Sequence, residues 1–290
     1  MRSPQQRYER ILARLSLPLF LIILLPGCER VLYKTLYNQA DILVVNRIDS
    51  IFDLNEAQSE FVTERVTILH DWHRHRELPR YAAFLQDFNG RLQSGVTPAD
   101  VDWMLLNGRT FRDNLYRRLY PETVGFLQLI QNPEQVAHID TALRESNQEL
   151  VEELQVGTAE RLNRRHTELI DFLEDWAGDL DNDQINRIRF LNSQIPDTLP
   201  ARVRYREEWR AVFVATLEKD PDARADEARR WLLETESTQP AFYRQVRYQW
   251  QQAARRMLPD ILNELNAEQR ATMQGNIRLL ILDLRQLSVE

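Results

Sequence analysis

The beginnings of helices are written into this chain more plainly than anything else. Five sites place a capping side chain three residues before a glutamine or aspartate: Asn55 with Gln58, Thr97 with Asp100, Asn132 with Gln135, Asp181 with Gln184 and Asn266 with Gln269. In that arrangement the first residue accepts a backbone N–H of the opening turn, and the third reaches back to the capping residue's own N–H. Pro98 and Pro133 fall at the first helical position, where a missing N–H costs nothing. Val96 with Val101, and Leu180 with Ile185, suit a hydrophobic staple across the helix entry. A chain punctuated in this way is committed to helices.

Composition agrees. There are only eight glycines in 290 residues, strand-like alternation is scarce, and the abundant Leu, Arg, Glu, Gln and Ala are good helix formers. The expectation is an all-α fold, a multi-helix bundle of about nine or ten helices. Residues 31–52 read as a short helical lead. A helix over 56–77 resumes after Pro79 toward Phe88, with Pro79 kinking or ending it because proline removes a donor and crowds the preceding turn. Further helices are expected at 98–119, 121–130, 133–155, 159–177, 182–194, 201–218, 222–236, 241–257 and 267–287. Phe61, Ile68 and Leu69 form one apolar face. So do Leu162, Leu169, Phe172, Leu173 and Trp176, whereas Leu279, Leu280, Leu282 and Leu287 suggest a heavily buried last helix. Residues 54–290 form the helical body, and the best candidate boundary within it is Leu180–Pro200. The recurring Leu-Asn/Asp-x-x-Gln caps at Leu54, Leu180 and Leu265 are unequally spaced, and independent use of one good cap explains them better than duplication.

The N-terminus has a different character. Arg2, Arg7, Arg10 and Arg14 precede Leu15–Leu25, an almost wholly apolar run, in the layout of a secretory signal. As a helix, eleven residues reach only about 16 Å, against a hydrocarbon core of ~30 Å. The run ends in Leu24-Leu25-Pro26-Gly27-Cys28, and Cys28 is the chain's single cysteine. This string resembles the lipobox of bacterial lipoproteins, with Pro26 departing from the usual small residue. The resemblance implies cleavage after residue 27, diacylglycerol on the Cys28 thiol and an acyl group on its new amine, leaving residues 28–53 as anchor and lead. Each buried methylene contributes ~0.8 kcal/mol, so several chains hold firmly where one would not. Glu29, in place of an aspartate, points to the outer membrane and leaves the inner membrane open. The tether is short enough to set Tyr33 and Tyr37 either at the bilayer interface or in the core.

Removing Arg2, Arg7, Arg10, Arg14 and Glu9 takes the net charge from −7 to −10. So acidic a body has no electrostatic case for nucleic acid or anionic lipid surfaces. No internal disulfide can form, and stability must come from the core.

The densest stretch of chemistry is His70-Asp71-Trp72-His73-Arg74-His75-Arg76-Glu77-Leu78-Pro79-Arg80-Tyr81. His70, His73 and Glu77 can share a helix face. A metal site would need ligands from a second segment, and His138 and His166 are isolated in sequence. Trp72, His73, Glu77, Pro79 and Tyr81 make the candidate binding surface, for a concave face can form beside the proline. Enzyme signatures are missing: there is no H-E-x-x-H, no G-x-S-x-G, no glycine-rich phosphate loop and no spare cysteine. No catalytic residue, cofactor or metal ligand is assigned. The Glu-Ser pairs at Glu145 and Glu236 match a dipeptide of lytic transglycosylases without the surrounding context. The paired arginines Arg117-Arg118 and Arg229-Arg230 read as solvated faces.

Taken together, Cys28, Phe52-Asp53-Leu54-Asn55-Glu56-Ala57-Gln58, the Trp72-His73 to Glu77-Leu78-Pro79-Arg80-Tyr81 string, Val96-Thr97-Pro98-Ala99 and Leu265-Asn266-Ala267-Glu268-Gln269-Arg270 resemble an uncharacterised family of proteobacterial all-helical lipoproteins, known as a domain of unknown function. The likeness implies an anchored helical envelope protein and no reaction. The Leu-Asn-Ala-Glu-Gln element is also similar to the Leu-Thr-x-x-Gln motif of periplasmic helical stress chaperones. The expected role is non-catalytic: binding an envelope protein or cell-wall component, chaperone-like action, or envelope maintenance on the periplasmic side. The alternatives are a cell-wall hydrolase or lyase using a glutamate, and a metal-binding lipoprotein.

Overall fold

The computed structural model describes residues 30–290, with side chains from Lys34 onward. The signal segment, Cys28, Glu29 and the Tyr33 ring lie outside the described residues. The chain forms α1 (Arg30–Asn38), α2 (Ala40–Phe52), α3 (Glu56–Trp72), α4 (Leu78–Ser94), α5 (Pro98–Leu129), α6 (Pro133–Gln155) and α7 (Thr158–Ala177). It continues through α8 (Asn182–Ser193), α9 (Leu199–Leu217), α10 (Pro221–Leu233), α11 (Thr235–Thr238), α12 (Ala241–Asn263) and α13 (Ala267–Leu287). Among the described residues there is no strand, and no helix is long and apolar enough to cross a membrane. The fold is all-α.

Four of the five caps close reciprocally, at Asn55, Thr97, Asp181 and Asn266. The fifth, Asn132, accepts from Glu134 N–H, while Gln135 turns elsewhere. Gln135 forms a two-way amide pair with Gln58, at 2.6 and 3.1 Å. It also donates to the Phe52 carbonyl at 2.7 Å, and Gln58 donates to the Leu129 carbonyl at 2.9 Å. Gln184 and Gln269 repeat the device at α8 and α13: the amides pair at 2.8 and 2.9 Å, and each reaches a backbone carbonyl ahead of the other's helix, Glu264 and Asp179. Helix starts are thus joined in pairs.

Prolines interrupt less than expected. Pro121 lies inside the 32-residue α5, which replaces the two helices expected at 98–119 and 121–130. Pro259 lies inside α12, which runs to Asn263. An internal proline costs roughly 3 kcal/mol in an isolated helix. In α5 the buried Phe111 and Leu127 hold both sides of the break. Pro79 does not end its helix either. The five residues His73–Glu77 form a wide π-turn, with Leu78 N–H bonded to the His73 carbonyl, and α4 follows without a gap. The helical lead consists of α1 and α2, and Ile68, Phe172, Leu279 and Leu282 are exposed. The inward face of α3 is instead Gln58, Val62 and Val66.

Two apolar cores form. The first gathers Leu78 and Tyr81 of α4, Leu173 and Trp176 of α7, Ile188 of α8, Met257 of α12, and Ile277 and Leu284 of α13. In the second, Leu127, Ile139, Phe213, Leu217 and Ala228 come from α5, α6, α9 and α10, with Trp209 and Trp231 packed against them. Membership alternates along the chain: α7 and α8 join the first core, α9 and α10 the second, α12 and α13 the first again. Leu180–Pro200 is therefore where the chain crosses from one core toward the other. Helix α5 serves both, through Val101 and Phe111 near its start and Leu127 near its end.

Candidate functional site

The five residues of the candidate surface do not make one exposed patch. His73 is 2% exposed, Glu77 0% and Tyr81 4%, while Trp72 is half-buried and Pro79 exposed. The π-turn brings His73 and Glu77 inward together. The His73 ring lies between two phenols, its Nδ1 2.9 Å from the Tyr37 hydroxyl and its Nε2 3.3 Å from that of Tyr81. A neutral imidazole has one donor and one acceptor nitrogen, so it gives its proton to one hydroxyl and accepts from the other. Burial, with the neighbouring His70 second, lowers the His73 pKa to about 4. Burial also raises both Tyr37 and Tyr81. Tyr37 therefore belongs to the core. Glu77 Oε1 sits 2.6 Å from Arg80, and its Oε2 has no hydrogen-bond partner among the described residues. Among them, no three of His, Cys, Asp and Glu converge as metal ligands would.

His73 and Tyr81 are also the floor of a cleft of about 580 Å³. This lies within the ~300–1,000 Å³ usual for ligand sites. The middle of α5 forms one wall with Met104, Leu105, Gly108, Phe111 and Leu115, where that helix passes between the two cores. Opposite, α12 presents Tyr243, Val246 and Trp250, and Thr198 just before α9 and Arg202 in its first turn add to the lining. Tyr243 is fixed by stacking on Tyr205 of α9, with centroids 4.3 Å apart.

The cleft's charge contradicts that of the whole chain. Four arginines line it, Arg109, Arg112, Arg202 and Arg247, and no carboxylate does among the described residues. Arg112 is bound by Asp113 at 2.7 Å, and Glu236 approaches Arg112 and Arg109 from outside at 3.8 and 4.0 Å. Arg247 has Gln239 at 2.8 Å. No ion pair or side-chain hydrogen bond holds the Arg202 guanidinium among the described residues. The neighbouring Arg206, whose pKa burial and then Arg202 and Arg47 lower, has its side-chain hydrogen bond among the described residues to Ser146, at 3.2 Å.

Of the five residues singled out in the sequence, His73 and Tyr81 line the cleft and Trp72, Glu77 and Pro79 do not; the walls were not read from sequence. Arginines 93 residues apart on α5 and α9 carry no local pattern that joins them. Glycines inside a long helix ask for a packing or functional reason, but α5 holds two, Gly108 and Gly125, and no local pattern says which of them faces the cleft.

A family model described as a family of unknown function (DUF6279) matches residues 50–244. The match takes in the Phe52–Gln58, Trp72–Tyr81 and Val96–Ala99 strings, with most of the cleft; Cys28 and Leu265–Arg270 fall beyond it. No curated protein and no solved structure matches the chain.

Proposed function

The chain belongs to this family of unknown function, and from its cleft we propose that it is a non-catalytic binding protein of the bacterial envelope. Its own anchor is the lipid on Cys28, and its body faces the periplasm from the outer membrane. The observation that carries the binding role is the half-open, aromatic-walled cleft with four arginines and, among the described residues, no lining carboxylate. Such a site offers a ligand shape and charge but no paired acid and base for a reaction. Glu77 stays out of the cleft lining, with one oxygen on Arg80. The anchor reading rests on the basic-then-apolar N-terminus ending in Cys28.

Both halves have a test. Intact mass and membrane fractionation of the wild type beside Cys28→Ala should give an acylated membrane species beginning at residue 28, and release of the variant. An unacylated, soluble wild type would remove the anchor. For the cleft, envelope extract should slow hydrogen exchange in α5 and α12 of the wild type. It should leave Gly108→Trp, whose new ring fills the cleft, unchanged. Equal exchange with and without extract would remove the binding role.

A further inference from the structure

Resting on that cleft reading, we propose that the occupant is a single-chain anionic amphiphile. Its carboxylate or phosphate head lies among Arg202, Arg247 and Arg109, and its alkyl chain runs inward along Leu105, Phe111 and Leu115. Three independent features converge on this class.

The first is charge. In a chain of net charge −7, a cleft lined by four arginines and, among the described residues, no acid is a local reversal. Arg202 lacks an ion-pair partner among the described residues, and Arg247 meets only a neutral amide. A guanidinium in a partly water-excluded site gains most from an anion that matches its forked donors. The second is the inner lining. Met104, Leu105, Phe111, Leu115 and Val246 offer no hydrogen bonds, and the polar groups of the floor are already spent on one another. A sugar or an extended peptide would leave its own polar groups unpaired there, at about 1–3 kcal/mol each. Methylenes suit it, each burial contributing ~0.8 kcal/mol. The third is Gly108. A Cβ added there would meet nothing within 4 Å. Gly108 is itself exposed, so this stretch of the wall stands open to solvent and a larger side chain there would lie across the cleft. Glycine inside a helix is less stable than alanine by roughly 0.5–1 kcal/mol, and the open wall is what that residue leaves.

The test uses the full-length protein in its own membrane vesicles. The probes are twelve-carbon chains carrying a diazirine near the far end, with a carboxylate, a phosphate or an uncharged hydroxyl head. After irradiation, labelled peptides are mapped by mass spectrometry. At least one anionic probe should mark the peptides holding Leu105–Leu115 and Val246, at least fivefold more than the neutral probe. Labelling by the carboxylate alone identifies a fatty acid, and by the phosphate alone a lysophospholipid-type head. Gly108→Trp should reduce that labelling at least tenfold. The double variant Arg202→Ala/Arg247→Ala should bring the anionic probes down to the neutral level. Thermal melts beside Gly108→Ala establish that the tryptophan variant folds, and the arginine pair carries the test if it does not. Equal cleft labelling by neutral and anionic probes, or labelling indifferent to both sets of substitutions, overturns the proposal. If no probe labels the cleft while envelope extract still slows exchange there, the amphiphile is wrong and the binding role stands; loss of both signals takes both away.

Discussion

His73 shows how one side chain can be central and still be misread from sequence. Its one-turn spacing from His70 suggests a ligand, and its neighbours Arg74 and Glu77 suggest a wet face. The structure instead places the ring between the Tyr37 and Tyr81 hydroxyls, with its pKa lowered to about 4. The sign of the consequence follows. Between pH 6.5 and 4 the unfolded chain takes up a proton on His73 that the folded chain refuses, so this contribution to stability is complete above pH 6.5 and drains away as pH falls toward 4. At 1.36 kcal/mol per unit the loss is about 3 kcal/mol. Urea melts at pH 7 and pH 4.5 should show a steeper decline in the wild type than in His73→Gln. That variant keeps a donor and an acceptor but does not titrate. Parallel declines would mean that the burial of His73 does not govern its protonation. His70 and His166 shift in the same direction, so the comparison lies in the difference between the two slopes.

At the scale of elements, the caps were the most readable feature, because a cap is local: one side chain, one N–H, three residues apart. What the chain could not display is the second use of the same glutamines. Gln184 and Gln269 are 85 residues apart in sequence and form a two-way amide pair in space. Replacing either with alanine opens its own capping box and also strands the partner amide. A double-mutant cycle on Gln184→Ala and Gln269→Ala should therefore yield a coupling energy of about 1 kcal/mol, read from denaturant midpoints. Simple addition of the two losses would reduce both residues to ordinary caps. Proline explains the opposite error. Pro121 is a strong local signal of interruption, and it was overridden by burial on both sides, which no window of neighbouring residues contains; just before Pro79 the regular α-helix does give way, to the π-turn His73–Glu77.

On the scale of the molecule, the all-α class was legible from composition and periodicity, whereas the two cores and the cleft were not, since their members alternate along the chain. That alternation predicts how the protein comes apart. Neither core is a consecutive piece of sequence, and α5 contributes to both, so the halves should unfold together. Leu284→Ala removes a fully buried side chain from the first core and should cost about 2–5 kcal/mol. The tryptophan fluorescence contributed by Trp209 and Trp231 in the second core should then shift to lower denaturant by the same amount as the helical circular dichroism. Two separated transitions in the variant would show that the cores are independent. Net charge carries a related lesson about scale: −7 is a sum over the whole chain, while the cleft holds four arginines.

The wide turn at His73–Glu77 has a consequence for how this segment tolerates changes of length. A π-turn takes up one residue more than an ordinary turn. Val62 and Val66 before it, and Leu78, Tyr81 and Ala82 after it, face inward on both sides of that surplus. The extra residue is absorbed where it occurs and is not passed along the rod as a rotation of about 100°. Shortening the chain by one within Arg74–Arg76 would leave a regular helix whose two ends keep their present bearings, whereas the same loss in the middle of α4 would swing everything beyond it off its seat.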